Sequence, residues 1–329
     1  MPLARSALSE PQLFMILTVT LNSALDRTLA VPNFEVGFRH RASATVTLPG
    51  GKGVNVARVV KQLGQPVIAT GFVGGRTGER VLGELEREDI LCDFVRIEGE
   101  TRTSTAVLDP ATGTTTEINE YGPEVAAREL QLLCEKLDYL GKAAQLVVLA
   151  GSIPQGLEAD IYASLITKLR RAGVKILLDT YGEPLRHGLK AGPDFVFPNQ
   201  VETETVIGHE IATEDEYVHA ALSLRRMGAA SAVVHGRDLV AAQVAGPDGI
   251  VTLVARPPRV EVVSAVGSGD SLLGGYATAL LEGRSVVECL RFGIGCAVAN
   301  TLCYGAGLFA PEDAYHLAER VEWEEVPGD

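Results

Sequence analysis

The hydrophobic pattern divides the chain into short apolar runs separated by stretches with helical spacing. Ile16 to Thr20, Val67 to Val73 and Leu146 to Ala150 are nearly unbroken apolar runs, the mark of strands buried on both faces. Between the first two, the apolar positions from Val54 to Leu63 follow a helical period, with Gly64 as the stop. The same alternation continues along the chain. Helices are predicted from Thr77 to near Asp89, from about Glu124, and over 158–172, 199–207, 214–227, 269–282, 285–303 and 311–320. Strands are predicted over 174–179, 194–197, 231–235, 239–245 and 250–256. Strands alternating with helices specify an α/β fold: a mostly parallel sheet flanked by helices on both faces.

Two segments, 27–48 and 103–119, break this rhythm. The first has period-two character, and the second is a hairpin-like pair around Pro110 to Gly113. They are expected to meet as a small accessory sheet. Residues 1–14 hold no sustained apolar run and are expected to be a disordered extension, with Met15 opening the first strand. The domain then covers 15–320, and 321–329 is expected to be an acidic surface tail carrying the sole tryptophan, Trp323.

The composition narrows the function classes. The 329 residues are 46% hydrophobic and 22% charged, with a net charge of -13. That balance suits a folded soluble protein with a large core and argues against a general nucleic-acid binder. No apolar run approaches the roughly 20 residues that span a bilayer. The cysteines, Cys92, Cys134, Cys289, Cys296 and Cys303, are odd in number and not closely paired, so a reduced, cytoplasmic protein is expected. The last three are seven apart, about 10.5 Å per step on a helix, too far to share a metal. Packing is their reading. His40, His187, His209, His219 and His316 show no ligand spacing.

The candidate chemistry lies in Val266-Gly267-Ser268-Gly269-Asp270-Ser271. A small-residue loop runs directly into a helix whose first N–H groups have no internal acceptors and can bind an anion. A carboxylate in that turn can take the proton of an attacking hydroxyl. The same tetrapeptide is also an ordinary helix cap. Gly50-Gly51-Lys52-Gly53-Val54-Asn55 is a second glycine-rich helix start. It is neither a P-loop nor a dinucleotide fingerprint, and its backbone and Asn55 suit a polyhydroxyl ligand. Asp26, Gly50 to Asn55, Ser152, Asn199 to Glu202 and the loop before Asp270 all follow predicted strands, at the sheet end where α/β ligands bind.

Taken in order, Asp26, Gly50-Gly51-Lys52-Gly53-Val54-Asn55-Val56-Ala57, Gly151-Ser152-Ile153-Pro154, Pro198-Asn199-x-x-Glu202 and Val266 to Ser271 resemble the ribokinase-like (PfkB) family of sugar kinases, from about Ile16 to Phe309. Thr18 to Thr28 and Gly99-Glu100-Thr101-Arg102-Thr103 are most similar to its branch containing 1-phosphofructokinase and tagatose-6-phosphate kinase. The resemblance implies a kinase using ATP and Mg²⁺, with the small sheet as a lid that also joins two copies in a homodimer. It implies Asp270 as the base and Gly267, Ser268 and Gly269 as donors to the transferred phosphate. Asp26, Gly50, Gly51 and Asn55 would hold the sugar, together with Ser152. Arg39, Arg41, Arg102 and Lys52 are candidates for the sugar's existing phosphate, Arg102 first among them. Asn199 and Glu202 would organise Mg²⁺ through water. His235, Gly236, Arg237 and Asn300, with Asn199, Gly267 and Gly269, are the nucleotide-side candidates. The chain departs from the family pattern at Phe197, where a lysine is usual, and at Val234 to Leu239, which lacks a second glycine. Both departures fall on the nucleotide side. The acceptor implied first is fructose 1-phosphate, then tagatose 6-phosphate. A nucleoside or unphosphorylated-sugar kinase and a non-catalytic sugar-phosphate sensor are the alternatives.

Overall fold

The structure is a computed structural model describing residues 15–246 and 249–327. The proposed extension 1–14 lies outside the described residues. β1 (Ile16–Thr20) is followed by β2 (Ala24–Ala30), β3 (Ala44–Gly50), α1 (Lys52–Gln62), β4 (Val67–Gly74) and α2 (Gly75–Arg87). Two short strands, β5 (Leu91–Cys92) and β6 (Val95–Ile97), precede β7 (Arg102–Asp109) and β8 (Thr114–Asn119). Next come α3 (Ala127–Ala143), β9 (Leu146–Ala150), α4 (Ile161–Arg170), β10 (Lys175–Asp179), α5 (Gly182–Lys190) and β11 (Phe195–Val196). The chain continues through α6 (Gln200–Ile207), α7 (Glu214–Arg226), β12 (Ser231–His235), β13 (Val240–Gly246) and β14 (Gly249–Arg256). It closes with α8 (Ser268–Leu281), α9 (Val286–Asn300), α10 (Pro311–Glu319) and β15 (Glu322–Glu325).

Among the described residues the main sheet runs β15-β14-β13-β12-β11-β10-β9-β1-β4-β5, with β6 also on β4. It is parallel from β12 through β5 and antiparallel beyond β12. The apolar runs resolve into two faces at period two. On β9, Leu146, Val148 and Ala150 join the core under α1, α2, α8, α9 and α10. Val147 and Leu149 join the opposite core under α3, α4, α5 and α7. Unbroken hydrophobicity is therefore what a doubly covered strand requires. The chain enters at β1 and builds first toward β4, then toward β9. The strand order reverses between β1 and β9, where α/β sheets leave a crevice at their carboxyl ends.

The two segments that break the rhythm meet as expected, in a four-stranded sheet of order β3-β2-β7-β8. β2 and β7 are parallel, Ala24 opposite Arg102, and the outer pairs are antiparallel. Residues 31–43 are not strand. They loop between β2 and β3, and Asp109 accepts the Asn33 and Phe34 N–H groups.

Two expectations differ from the structure. The acidic segment 322–325 is an edge strand rather than a tail, pairing antiparallel with β14 so that Trp323 lies opposite Ala255. The helix expected over 285–303 ends at Asn300, so Cys303 leaves the row of cysteines. The turn that follows contains Gly305 and Gly307, both at positive φ. Cys289 and Cys296 are buried in the core as free thiols.

Candidate active site

The strand ends determine which side chains share the crevice. β1 delivers Asn22, β9 delivers Gly151 and Ser152, β10 ends in Asp179, and β11 leads to Asn199. Asn22 and Ser152 straddle the reversal point, the Asn22 amide donating to Ser152 Oγ at 3.0 Å. The small sheet covers this end through Asp26 and Arg102. Together these groups line a cavity of about 830 Å³, within the size range of small-molecule sites.

α8 points its first turn into this cavity. Gly267 takes φ +82 at the N-cap, and a Cβ there would lie 2.4 Å from the Ala306 side chain. Only glycine permits both that backbone and that approach. No side chain caps the helix. By contrast, α6 and α9 are capped by Asn199 and Ser285. The Gly269 and Asp270 N–H groups lie too early in the helix for a helical acceptor. Their dipole end faces the cavity, a ready anion site.

Asp270 sits in the same turn, 7% exposed, its Oδ2 accepting the Asn55 amide at 2.7 Å. Burial pushes its carboxyl up to about 7. Lys52 and the Asn55 hydrogen bond oppose that rise, while Asp179 and Asp26 add to it. A carboxylate of that basicity suits proton abstraction near neutral pH. Burial also raises Asp26 to about 6, against Arg102 and Arg58. Gly50 allows this: a Cβ there would lie 2.0 Å from the Asp26 carboxylate.

Asp270, Asn55 and the uncapped turn make a base beside an anion cradle, which is the equipment of phosphoryl transfer to a hydroxyl. The family model for pfkB family carbohydrate kinases matches residues 18–313. The chain belongs to the pfkB family of carbohydrate kinases. It is a phosphotransferase with an alcohol group as acceptor. Similar proteins include a 1-phosphofructokinase of Xanthomonas campestris pv. campestris, 35% identical over 94% of this chain and 98% of the relative. Another is a 1-phosphofructokinase of Borreliella burgdorferi, 31% identical over 88% of this chain and 92% of the relative. A solved structure, described as a possible 1-phosphofructokinase of Thermotoga maritima, superposes with TM-score 0.86 at 29% identity, covering 95% of this chain and 100% of that one.

Most of the candidate residues of this pfkB chain come together. Asp26, Gly51, Lys52, Asn55, Arg102, Ser152, Asn199, Glu202, His235, Gly267, Ser268, Gly269 and Asp270 line the one cavity. Arg102 donates to the Asn22 carbonyl, at 3.3 Å from Nη2, and to Ser104 Oγ at 2.9 Å. These acceptors are neutral, and the Asp26 and Glu120 carboxylates act on Arg102 only through their charge, with no ion-pair contact among the described residues. His235 places its ring against Gly269, Cε1 lying 3.0 Å from where a Cβ would be. Burial holds the imidazole down to about 4, hence neutral.

Others have partners that differ from the expectation or lie outside the cavity. Lys52 is expected on the sugar's phosphate, but its Nζ donates to Asp179 Oδ1 at 2.8 Å and Glu202 Oε1 at 2.9 Å. Burial disfavours the ammonium, yet Asp179, Glu202 and Asp270 outweigh it and hold Lys52 firmly protonated. Asn300 is buried rather than nucleotide-facing. Its amide donates to the Val266 carbonyl and its Oδ1 accepts the Gly307 N–H, clamping the loop before Asp270. Arg237 opens onto a separate cavity with Gln200 and Glu204, and Gly236 closes a turn with the Leu239 carbonyl. Arg39 and Arg41 are exposed on the 31–43 loop, away from the cavity. Asn199 and Glu202 form a reciprocal capping box while also lining the cavity.

Asp179 and Asn22 were not among the sequence candidates. Asp179 is a lone acidic residue closing the apolar run Ile176-Leu177-Leu178, which is the available signal. Asn22 follows β1 in the same way, and its buried Oδ1 has no partner within the described chain.

Proposed function

We propose that this kinase transfers the γ-phosphoryl group of ATP to a ketohexose phosphate, with fructose 1-phosphate the first choice and tagatose 6-phosphate the second. The observation that carries this reading is Asp270, buried at the uncapped start of α8, with Arg102, hydrogen-bonded only to neutral acceptors, in the same cavity. Relatives named 1-phosphofructokinase over nearly their full length support the choice of acceptor.

In the proposed reaction Asp270 takes the proton from the acceptor hydroxyl as its oxygen attacks the γ-phosphorus in line. The α8 N–H groups stabilise charge on the transferred group, and Arg102 holds the phosphate already on the sugar. Asp26 and Asn55 bind sugar hydroxyls. The donor set at Asn199 and Glu202 fits Mg²⁺ held through water. Both side chains already accept hydrogen bonds, Lys52 stands between the carboxylates, and the described residues form no cage of three acidic or histidine ligands. When bound, Mg²⁺ would neutralise nucleotide phosphate charge. The small sheet would exclude water as a lid and join two copies of the chain. Exposed Val36 and Phe38 on the 31–43 loop and Ile118 on β8 suit such a contact.

ADP release with Mg-ATP and each of fructose 1-phosphate, tagatose 6-phosphate, fructose and a nucleoside tests the reading. Activity confined to a phosphorylated ketose supports it. Activity on the unphosphorylated acceptors alone, or binding without turnover, contradicts it. Arg102→Gln is expected to raise KM for the sugar phosphate about 10- to 100-fold, the worth of a charge-assisted contact. KM for ATP should stay within about threefold. Equal losses for both substrates in steady-state kinetics would remove Arg102 from the acceptor site.

A further inference from the structure

Arg58 follows Asn55 by one turn of α1 and points away from the cavity into the protein, 2% exposed. All five of its N–H donors are used. Nε and Nη2 grip Glu88 at 2.7 and 3.1 Å. Nη2 also reaches the Pro49 carbonyl at 2.7 Å. Nη1 donates to the Ala306 carbonyl at 3.0 Å and to Asn55 Oδ1 at 3.1 Å. One planar fork therefore ties together the end of α2, the end of β3, the segment backing Gly267, and the Asn55 side chain.

The last contact bears on the chemistry. A guanidinium has donors and no acceptor, so the Asn55 oxygen must face it. That leaves the Asn55 nitrogen turned toward Asp270 Oδ2. With the amide reversed, its oxygen would face the carboxylate and favour the protonated acid. We propose that Arg58 is a positioning residue for phosphoryl transfer: by fixing the orientation of the Asn55 amide, it keeps Asp270 ionised and one of its oxygens free for the sugar proton. This rests on the reading of Asp270 as the base. The other groups facing Asp270 are Lys52 on α1, Asp179 at the end of β10 and Asp26 on β2, with the neutral His235 ring beside Gly269. Arg58 also acts on Asp26 through its charge, so the test must separate charge from orientation.

The experiment is the pH profile of kcat/KM for the acceptor in Arg58→Met, Arg58→Lys, Asn55→Ala and Glu88→Gln, with Asp270→Asn as reference and thermal melting as the measure of fold. Arg58→Met is expected to lose at least about tenfold in kcat and to move the acid limb up by about one pH unit. Its KM for ATP should hold within about threefold. Arg58→Lys restores part of this. Asn55→Ala, which retains the Arg58 charge, shows the same limb shift. Glu88→Gln lowers the melting temperature but leaves the limb in place, because it weakens the anchor without turning the amide. If Arg58→Met does not fold, Arg58→Lys and Asn55→Ala still decide. An unmoved acid limb in those folded variants overturns the proposal. A limb that moves equally in Glu88→Gln reduces Arg58 to a structural anchor and also overturns it. An active Asp270→Asn enzyme would instead overturn the base assignment.

Discussion

Replacing Asp270 by Asn is expected to lower kcat by about 10²- to 10⁴-fold, the usual worth of a positioned general base. The substitution changes neither volume nor the ability to accept the Asn55 amide hydrogen bond. It also removes the cost of burying an anion in a site that already raises its pKa to about 7. The variant should therefore fold and melt at or above the wild-type temperature, and it should bind both substrates with little change. The pH dependence follows from the same group. The reactive form is the carboxylate, so wild-type kcat/KM should fall tenfold per unit as pH drops below about 7 and level off above it. Single-turnover rates across pH 5–9, with circular dichroism on the variant, check both expectations. Turnover within tenfold of wild type would remove Asp270 from the chemistry.

Lys52→Met is expected to produce the largest loss of stability. Lys52 Nζ is the cation between Asp179, whose side chain is 3% exposed, and Glu202. Removing one partner of a buried pair strands the other charge, typically at about 3–5 kcal/mol. Burial raises the Asp179 carboxyl and Lys52 lowers it. Without Lys52 its folded pKa lies further above the unfolded value of about 3.9. The stability of a group with a raised folded pKa is fully present below the unfolded pKa and is lost as pH rises through the folded one. The deficit of Lys52→Met should therefore be larger at pH 8 than at pH 5. Urea unfolding at the two pH values measures it. A deficit under about 1 kcal/mol at both would mean that Asp179 finds water or another donor in place of the ammonium.

The parts of the fold and site legible in the sequence are those encoded locally. The apolar runs and helical periods placed the sheet, since a doubly covered strand must be apolar on both faces. Gly50-Gly51 and Gly267-Ser268-Gly269 were legible because close approach and positive φ require small residues. The period-two segment and the hairpin-like pair were legible as a sheet apart from the βα rhythm. Lys52 went elsewhere because its partner Asp179 is 127 positions away, and a lone basic residue does not reveal which acid it meets. Asn300 is expected on the nucleotide side only through the family resemblance. Only the packing of α9 on α8 turns it toward the Val266 carbonyl. Arg237 depended on the direction of one turn. The strand at 322–325 was hidden by its glutamates, which disfavour strand until an open edge such as β14 supplies partners. Arg58 reads as a helix surface arginine until tertiary structure buries it.

The central claim is tested most directly by following Mg-ATP and fructose 1-phosphate with the full-length enzyme by ³¹P NMR. The account predicts a second phosphomonoester on the sugar appearing with ADP in one-to-one proportion, and a rate lower by at least about 10²-fold when Asp270→Asn replaces the wild type. ADP accompanied by free phosphate, with the sugar phosphate unchanged, or no turnover with any phosphorylated ketose, would contradict it.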